Sequence, residues 1–219
     1  MNKFLKCAGG ASEISRWCQP PDSTPARNRP GRGDGIRLLC VLFALLTGCA
    51  KPEPLPKYWP LPDFKLTERS GQPFDSASLK GKVWVADFFF ASCPGVCPML
   101  TARMATVHQQ FASEDGVRFI SITTDPVADT PAALREYATR FKADARWSFL
   151  TGDKAYIWNL CQTGFKLSVV ESPNGPEPIT HSSRLVLVDK TGAVRGTYDG
   201  VGDDGPKKII EDIRRLLAE

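Results

Sequence analysis

Residues Lys82 to Phe90 read KVWVADFFF and run almost directly into a cysteine pair, Cys93 and Cys97, with Pro98 behind the second. β-Branched and aromatic residues dominate this run, and its second half is continuously apolar. That is the pattern of a central strand buried on both faces. From Met99 to Phe111 the apolar residues fall at 100, 104, 107 and 111, which is helical spacing. The two sulfurs therefore sit where a buried strand hands over to a helix. A strand of that kind needs a layer of structure on each side.

The rest of the chain supplies those layers. Phe64–Leu66 predicts a short strand, and a turn at Gly71 leads into Pro73–Phe74. Val117 to Ile122 is a second buried strand. Thr130 and Pro131 open a helix to about Phe141, as N-cap and first helical residue. Phe149–Leu150 is a short strand, and Asp153 caps a helix through Leu160. Arg184–Val188 and Val194–Tyr198 flank Asp189-Lys190-Thr191-Gly192, a hairpin signal. A last helix over 206–217 carries Ile209, Ile210, Ile213, Leu216 and Leu217 on one face. Strand–helix–strand–helix, then a hairpin and a terminal helix, predicts an α/β fold with a mixed central sheet flanked by helices. With a cysteine pair at the mouth of the first long helix, this is the thioredoxin-like arrangement.

Charge excludes one class of function. Seven of the 28 Lys/Arg and three of the 24 Asp/Glu precede Cys49, so 21 of each remain from Cys49 onward. A balanced domain exerts no overall pull on nucleic acid. Of the seven cysteines, Cys93, Cys97 and Cys161 lie in the domain, an odd number that argues against a dense disulfide framework.

Helix N-termini favour negative charge, so thiolates at Cys93 and Cys97 are stabilised there. An offset of four residues places both sulfurs on one face, able to close a disulfide or to act as a two-sulfur claw. Soft thiolates suit copper(I) and also zinc. The chain has two histidines. His108 falls mid-helix on the expected polar side and reads as a solvated surface residue. His181 ends the segment Glu177-Pro178-Ile179-Thr180 just before a strand, and in a thioredoxin topology that loop end abuts the cysteine loop. A Cys₂His set fits copper in both oxidation states. Trp84, Phe88 and Phe90 read as core or as walls shielding the site, and Cys161 as a buried, inert thiol. Asp125 reads either as a residue near the site or as a turn residue before Pro126.

Phe89-Phe90-Ala91-Ser92-Cys93-Pro94-Gly95-Val96-Cys97-Pro98 resembles the Cys-x-x-x-Cys-Pro motif of the Sco/SenC family. Thr124-Asp125-Pro126 with Asp129-Thr130-Pro131 is similar too, as is the His181 segment ahead of Leu185–Asp189. The likeness runs from about Leu61 to the C-terminus. It implies that Cys93, Cys97 and His181 hold one copper ion. It also implies a role in assembling the binuclear copper site of a respiratory cytochrome oxidase, by copper delivery or by reduction of that site's cysteines. The expected partners are that oxidase subunit and other periplasmic copper or thiol-redox proteins. Gly95 stands where many members carry Asp. The alternative is a periplasmic thiol–disulfide oxidoreductase cycling Cys93 and Cys97, for which no histidine is needed. A thiol peroxidase is a third reading, disfavoured by the paired cysteine.

Upstream, Leu38–Thr47 is an uncharged apolar run preceded by Arg27, Arg29, Arg32 and Arg37, the pattern of an export signal. Leu46-Thr47-Gly48-Cys49 resembles a bacterial lipobox. The expected organisation is a leader over 1–48 cleaved before a lipidated Cys49, a proline-rich linker over 49–60 and a domain over 61–219. The domain would then stand on the extracytoplasmic side of an envelope membrane.

Overall fold

The computed structural model describes residues 53–175 and 178–219. The leader, the lipidation candidate Cys49 and the first linker residues lie outside the described residues. No helix among the described residues is long and apolar enough to cross a membrane.

Among the described residues, seven strands make one mixed sheet. They are β1 (Lys65–Glu68), β2 (Pro73–Asp75), β3 (Val83–Phe89), β4 (Val117–Thr123), β5 (Trp147–Thr151), β8 (Arg184–Val188) and β9 (Val194–Asp199). A separate hairpin pairs β6 (Val169–Glu171) with β7 (Ile179–His181). The sheet order is β2-β1-β5-β4-β3-β8-β9. β3, β4 and β5 run parallel, and β8 returns antiparallel beside β3. The thioredoxin-like, mixed-sheet expectation holds, with β3 central and buried at every position.

Four α-helices flank the sheet among the described residues: α1 (Val96–Gln110), α2 (Pro131–Arg140), α3 (Lys154–Asn159) and α4 (Asp204–Ala218). Side chains alternate across β3. Phe89 stacks on Tyr137 of α2, and β3 also packs against α4. The opposite face presents Trp84 and Phe88 to Phe165, edge to face. Phe165 follows a single π-helical turn, Leu160–Gly164, that ends α3. α2 opens as its sequence requires, with the Thr130 hydroxyl accepting from the Ala133 amide and Pro131 in the first turn.

One expectation needs correction. His108 is buried, not solvated. Its Nε2 lies 2.9 Å from Asp144 Oδ1, and its ring packs edge-on against Phe119. The reason is that position 108 lies one turn beyond Met104 and beside Val107, within the buried stripe of α1. Burial alone would raise the Asp144 carboxyl, but bonds from Arg146 and then His108 hold it well below the usual range.

Residues Leu55 to Pro60, within the stretch expected as linker, run along the domain. Tyr58 donates to the Val194 carbonyl, and Val194 donates to that of Trp59. This covers the free edge of β9, where unpaired backbone groups would otherwise face solvent. The buried Arg195 guanidinium clamps the strap, donating to the Leu55 and Pro56 carbonyls while pairing with Asp189 and Glu219.

Candidate metal centre

The backbone leaves β3 at Phe89 and re-enters regular structure at Val96. Gly95 occupies the cap position of α1 and supplies no side-chain hydrogen bond. The first amides of a helix need partners from outside it. One partner is a sulfur, since the Cys97 amide donates to Cys93 Sγ at 3.4 Å. Cys93 thus performs the capping that Gly95 cannot, and its sulfur sits on the positive end of the helix dipole. Both cysteines are buried, Cys97 completely.

His181 reaches the pair from the far side of the sequence. Instead of ending a plain loop, it closes β7, opposite Val169 of β6. Its Nε2 lies 3.0 Å from Cys97 Sγ, although the residues are 84 positions apart. Nδ1 lies 3.1 Å from the Ser182 carbonyl. A carbonyl can only accept, so Nδ1 carries the proton and, in the neutral ring, the Nε2 lone pair faces the sulfur. Phe90 stands edge-on to the imidazole at 5.7 Å between centroids and walls the site, as its position suggested. Cys93, Cys97 and His181 thereby bring two sulfurs and one imidazole nitrogen into a single neighbourhood, a soft donor set suited to copper.

The remaining candidates fall elsewhere. Cys161 is buried in the π-helical turn, where burial pushes its thiol up to about 12 and disfavours the thiolate. Asp125 is a turn residue whose carboxylate accepts from Ala128. Four residues on, Asp129 is almost fully buried, and its Oδ2 accepts from the Ala91 amide at the root of the cysteine loop. Burial raises its carboxyl, with the Thr123 and Ala91 bonds opposing. Asp129 belongs to the quoted Asp129-Thr130-Pro131 segment, but nothing in the sequence alone ties it to residue 91.

Comparison with known proteins gives a consistent picture. The model of the family described as SCO1/SenC matches residues 57–218. A SCO1/SenC family lipoprotein from Bacillus anthracis is 36% identical with a TM-score of 0.69, covering 77% of this chain and 99% of that one. BsSco, described as bearing a disulfide switch and as a member of the Sco family of cytochrome c oxidase assembly proteins, is 31% identical. Its TM-score is 0.67, with 75% and 98% of the two chains covered. ScoI of Bradyrhizobium japonicum, solved with copper bound, is 28% identical with a TM-score of 0.60, covering 72% and 99%.

Proposed function

The chain belongs to the SCO1/SenC family, and from that premise we propose that it is a copper-carrying assembly factor for a respiratory cytochrome oxidase. One copper ion is its cargo, held by Cys93, Cys97 and His181. It is passed to the oxidase's binuclear copper site, or the dithiol prepares that site's cysteines. The observation that carries this reading is the 3.0 Å approach of His181 Nε2 to Cys97 Sγ, with Cys93 Sγ on the Cys97 amide. Copper(I) uptake by two thiols releases two protons, and the His181 lone pair adds a ligand that needs no deprotonation. The copper-bound ScoI relative supports the cargo, and BsSco supports the role in oxidase assembly.

The same dithiol supports a second reading. Oxidation of Cys93 and Cys97 to a disulfide yields two electrons and two protons, which reduce a partner's disulfide to two thiols. The BsSco disulfide switch favours retaining this alternative. His181 separates the two, because dithiol exchange requires no imidazole.

Titration of the reduced protein with copper(I) against a competing chelator tests the proposal. The expected result is one copper per chain, with binding lost in Cys93→Ser, Cys97→Ser and His181→Ala. A His181→Ala protein that binds as tightly as its parent would remove the imidazole from the site. Location follows the same reasoning: Cys49 behind Leu46-Thr47-Gly48 is the lipid-attachment residue, and the domain stands on the outer side of an envelope membrane. The B. anthracis lipoprotein supports that placement.

A further inference from the structure

The three donors rest on unequal supports. Cys97 belongs to α1 and His181 to β7, and both elements are held by regular hydrogen bonds. Cys93 stands in the irregular stretch between β3 and α1, with its amide on the Phe90 carbonyl at 3.3 Å. The ladder of β3 ends at Phe89, paired with Thr123. Beyond it the Ala91 amide finds its acceptor in Asp129 Oδ2, at 3.0 Å. That oxygen also accepts from the Thr123 hydroxyl at 2.5 Å, and Thr123 Oγ1 in turn accepts from the Asp125 amide at 2.9 Å. Beside it, the Thr124 amide and hydroxyl both donate to the Phe89 carbonyl, at 2.7 and 3.1 Å. The loop after β4 is thus fastened to the root of the cysteine loop at two points, and Asp129 makes the more distal one.

A carboxylate that is 2% exposed is costly to keep in the charged form unless its hydrogen bonds compensate. Here one bond, from the Ala91 amide, holds the backbone that leads to Cys93, and the other, from the Thr123 hydroxyl, ties the same oxygen to the end of β4.

We propose that Asp129 is a positioning residue of the centre, fixing Cys93 through the Ala91 amide while α1 and β7 fix Cys97 and His181. The inference rests on the reading that these three residues bind copper. Loss of Asp129 displaces one sulfur and leaves the other two donors in place. Removal of a residue that orients a ligand lowers metal affinity by about 10- to 100-fold.

The test compares Asp129→Ala, Asp129→Asn and Thr130→Ala in the full chain. Two readouts are taken, the copper(I) affinity by chelator competition and the thiolate-to-copper(II) charge-transfer absorption. Thr130→Ala removes the α2 cap next door without touching Ala91, so it reports loosening of the loop in general. The expected result is a 10- to 100-fold weaker, spectrally shifted Asp129→Ala, partial recovery in Asp129→Asn, and a Thr130→Ala protein that melts earlier with parental affinity and spectrum. Parental behaviour of a folded Asp129→Ala overturns the proposal. So does a Thr130→Ala that shifts both readouts equally. Should Asp129→Ala not fold, Asp129→Ser, too short to reach Ala91, carries the same comparison. If the parent itself binds no copper, the copper reading fails. Metal-free alkylation then decides for Asp129: a several-fold rise in labelling of Cys93 relative to Cys97 in the variant supports positioning, and an unchanged ratio refutes it.

Discussion

Asp87 lies in the middle of β3 with no exposed surface, and neither carboxyl oxygen reaches a hydrogen bond of normal geometry. Burial pushes its carboxyl up to about 7, and the Ser121 hydroxyl across the register offsets this only in part. The consequence for stability has a definite sign. Below about pH 4 the group is protonated in both folded and unfolded chains and has no effect. As pH rises from about 4 to 7 the unfolded chain releases the proton first, so stability falls, and above 7 the deficit is constant. A pKa raised from 3.8 to about 7 corresponds to a deficit on the order of 4 kcal/mol. Asp87→Asn is therefore expected to melt above the parent at pH 8 and with it near pH 4. A melting difference independent of pH would show that Asp87 does not titrate in this window. His108 belongs to the same scale. Its helical neighbours Leu100, Met104, Val107 and Phe111 already outlined a stripe that includes position 108, so its burial was legible. The polar identity of the residue outweighed its place in the period.

At the scale of elements, the strongly patterned segments were legible and the short ones were not. β3, β4, α1, α2 and α4 follow from apolar runs or helical spacing. Their observed ends differ from the sequence reading by up to three residues, the largest being the start of α1 at Val96. The hairpin of β6 and β7 was missed, because three-residue strands joined by residues 172–178 offer no period to detect. That hairpin places His181 in register with Val169. The loop between β9 and α4 is a further case. Gly200 donates to the Ser183 carbonyl, two residues from His181, and a Cβ there would overlap Leu100 and press on that carbonyl. Gly200→Ala is expected to lower stability by about 1–3 kcal/mol, measured by denaturant unfolding. A cost near zero would mean that the loop can move away from Ser183 freely.

Across the whole molecule, Arg195 joins regions distant in sequence. It contacts the strap at Leu55 and Pro56, Asp189 in the hairpin turn, and Glu219 at the chain's end. Its partner Asp189 is buried as well, and although burial raises the carboxyl, bonds from Thr191, Ala193 and Arg195 leave it lowered. Removing one member of a buried pair strands the other, a loss of about 3–5 kcal/mol. Arg195→Ala should therefore unfold at markedly lower denaturant, while Arg195→Lys, lacking the planar fork, recovers only part of the loss. If Arg195→Ala instead unfolds like the parent, the strap is not held by this network. The strap also changes the tether. Residues read as spacer up to Pro60 are bound to β9 from about Tyr58 onward, because extended, proline-rich backbone fits a free sheet edge.

The sequence by itself determined the α/β class, the central strand, and the placement of two thiols at a helix mouth. Those depend on periodicity, caps and spacing, all of which act over a few residues. It also nominated His181, from the small number of histidines and the position of the segment ahead of β8. Only the tertiary structure decided that His181 Nε2 meets Cys97, that Asp129 holds the Ala91 amide, and that Arg195 gathers both ends of the domain. The first two join residues 84 and 38 positions apart, and Arg195 meets Leu55 across 140 positions; their energies depend on burial. Local pattern cannot report how far a carboxylate or an imidazole lies from water, because that is set by what the rest of the chain packs over it.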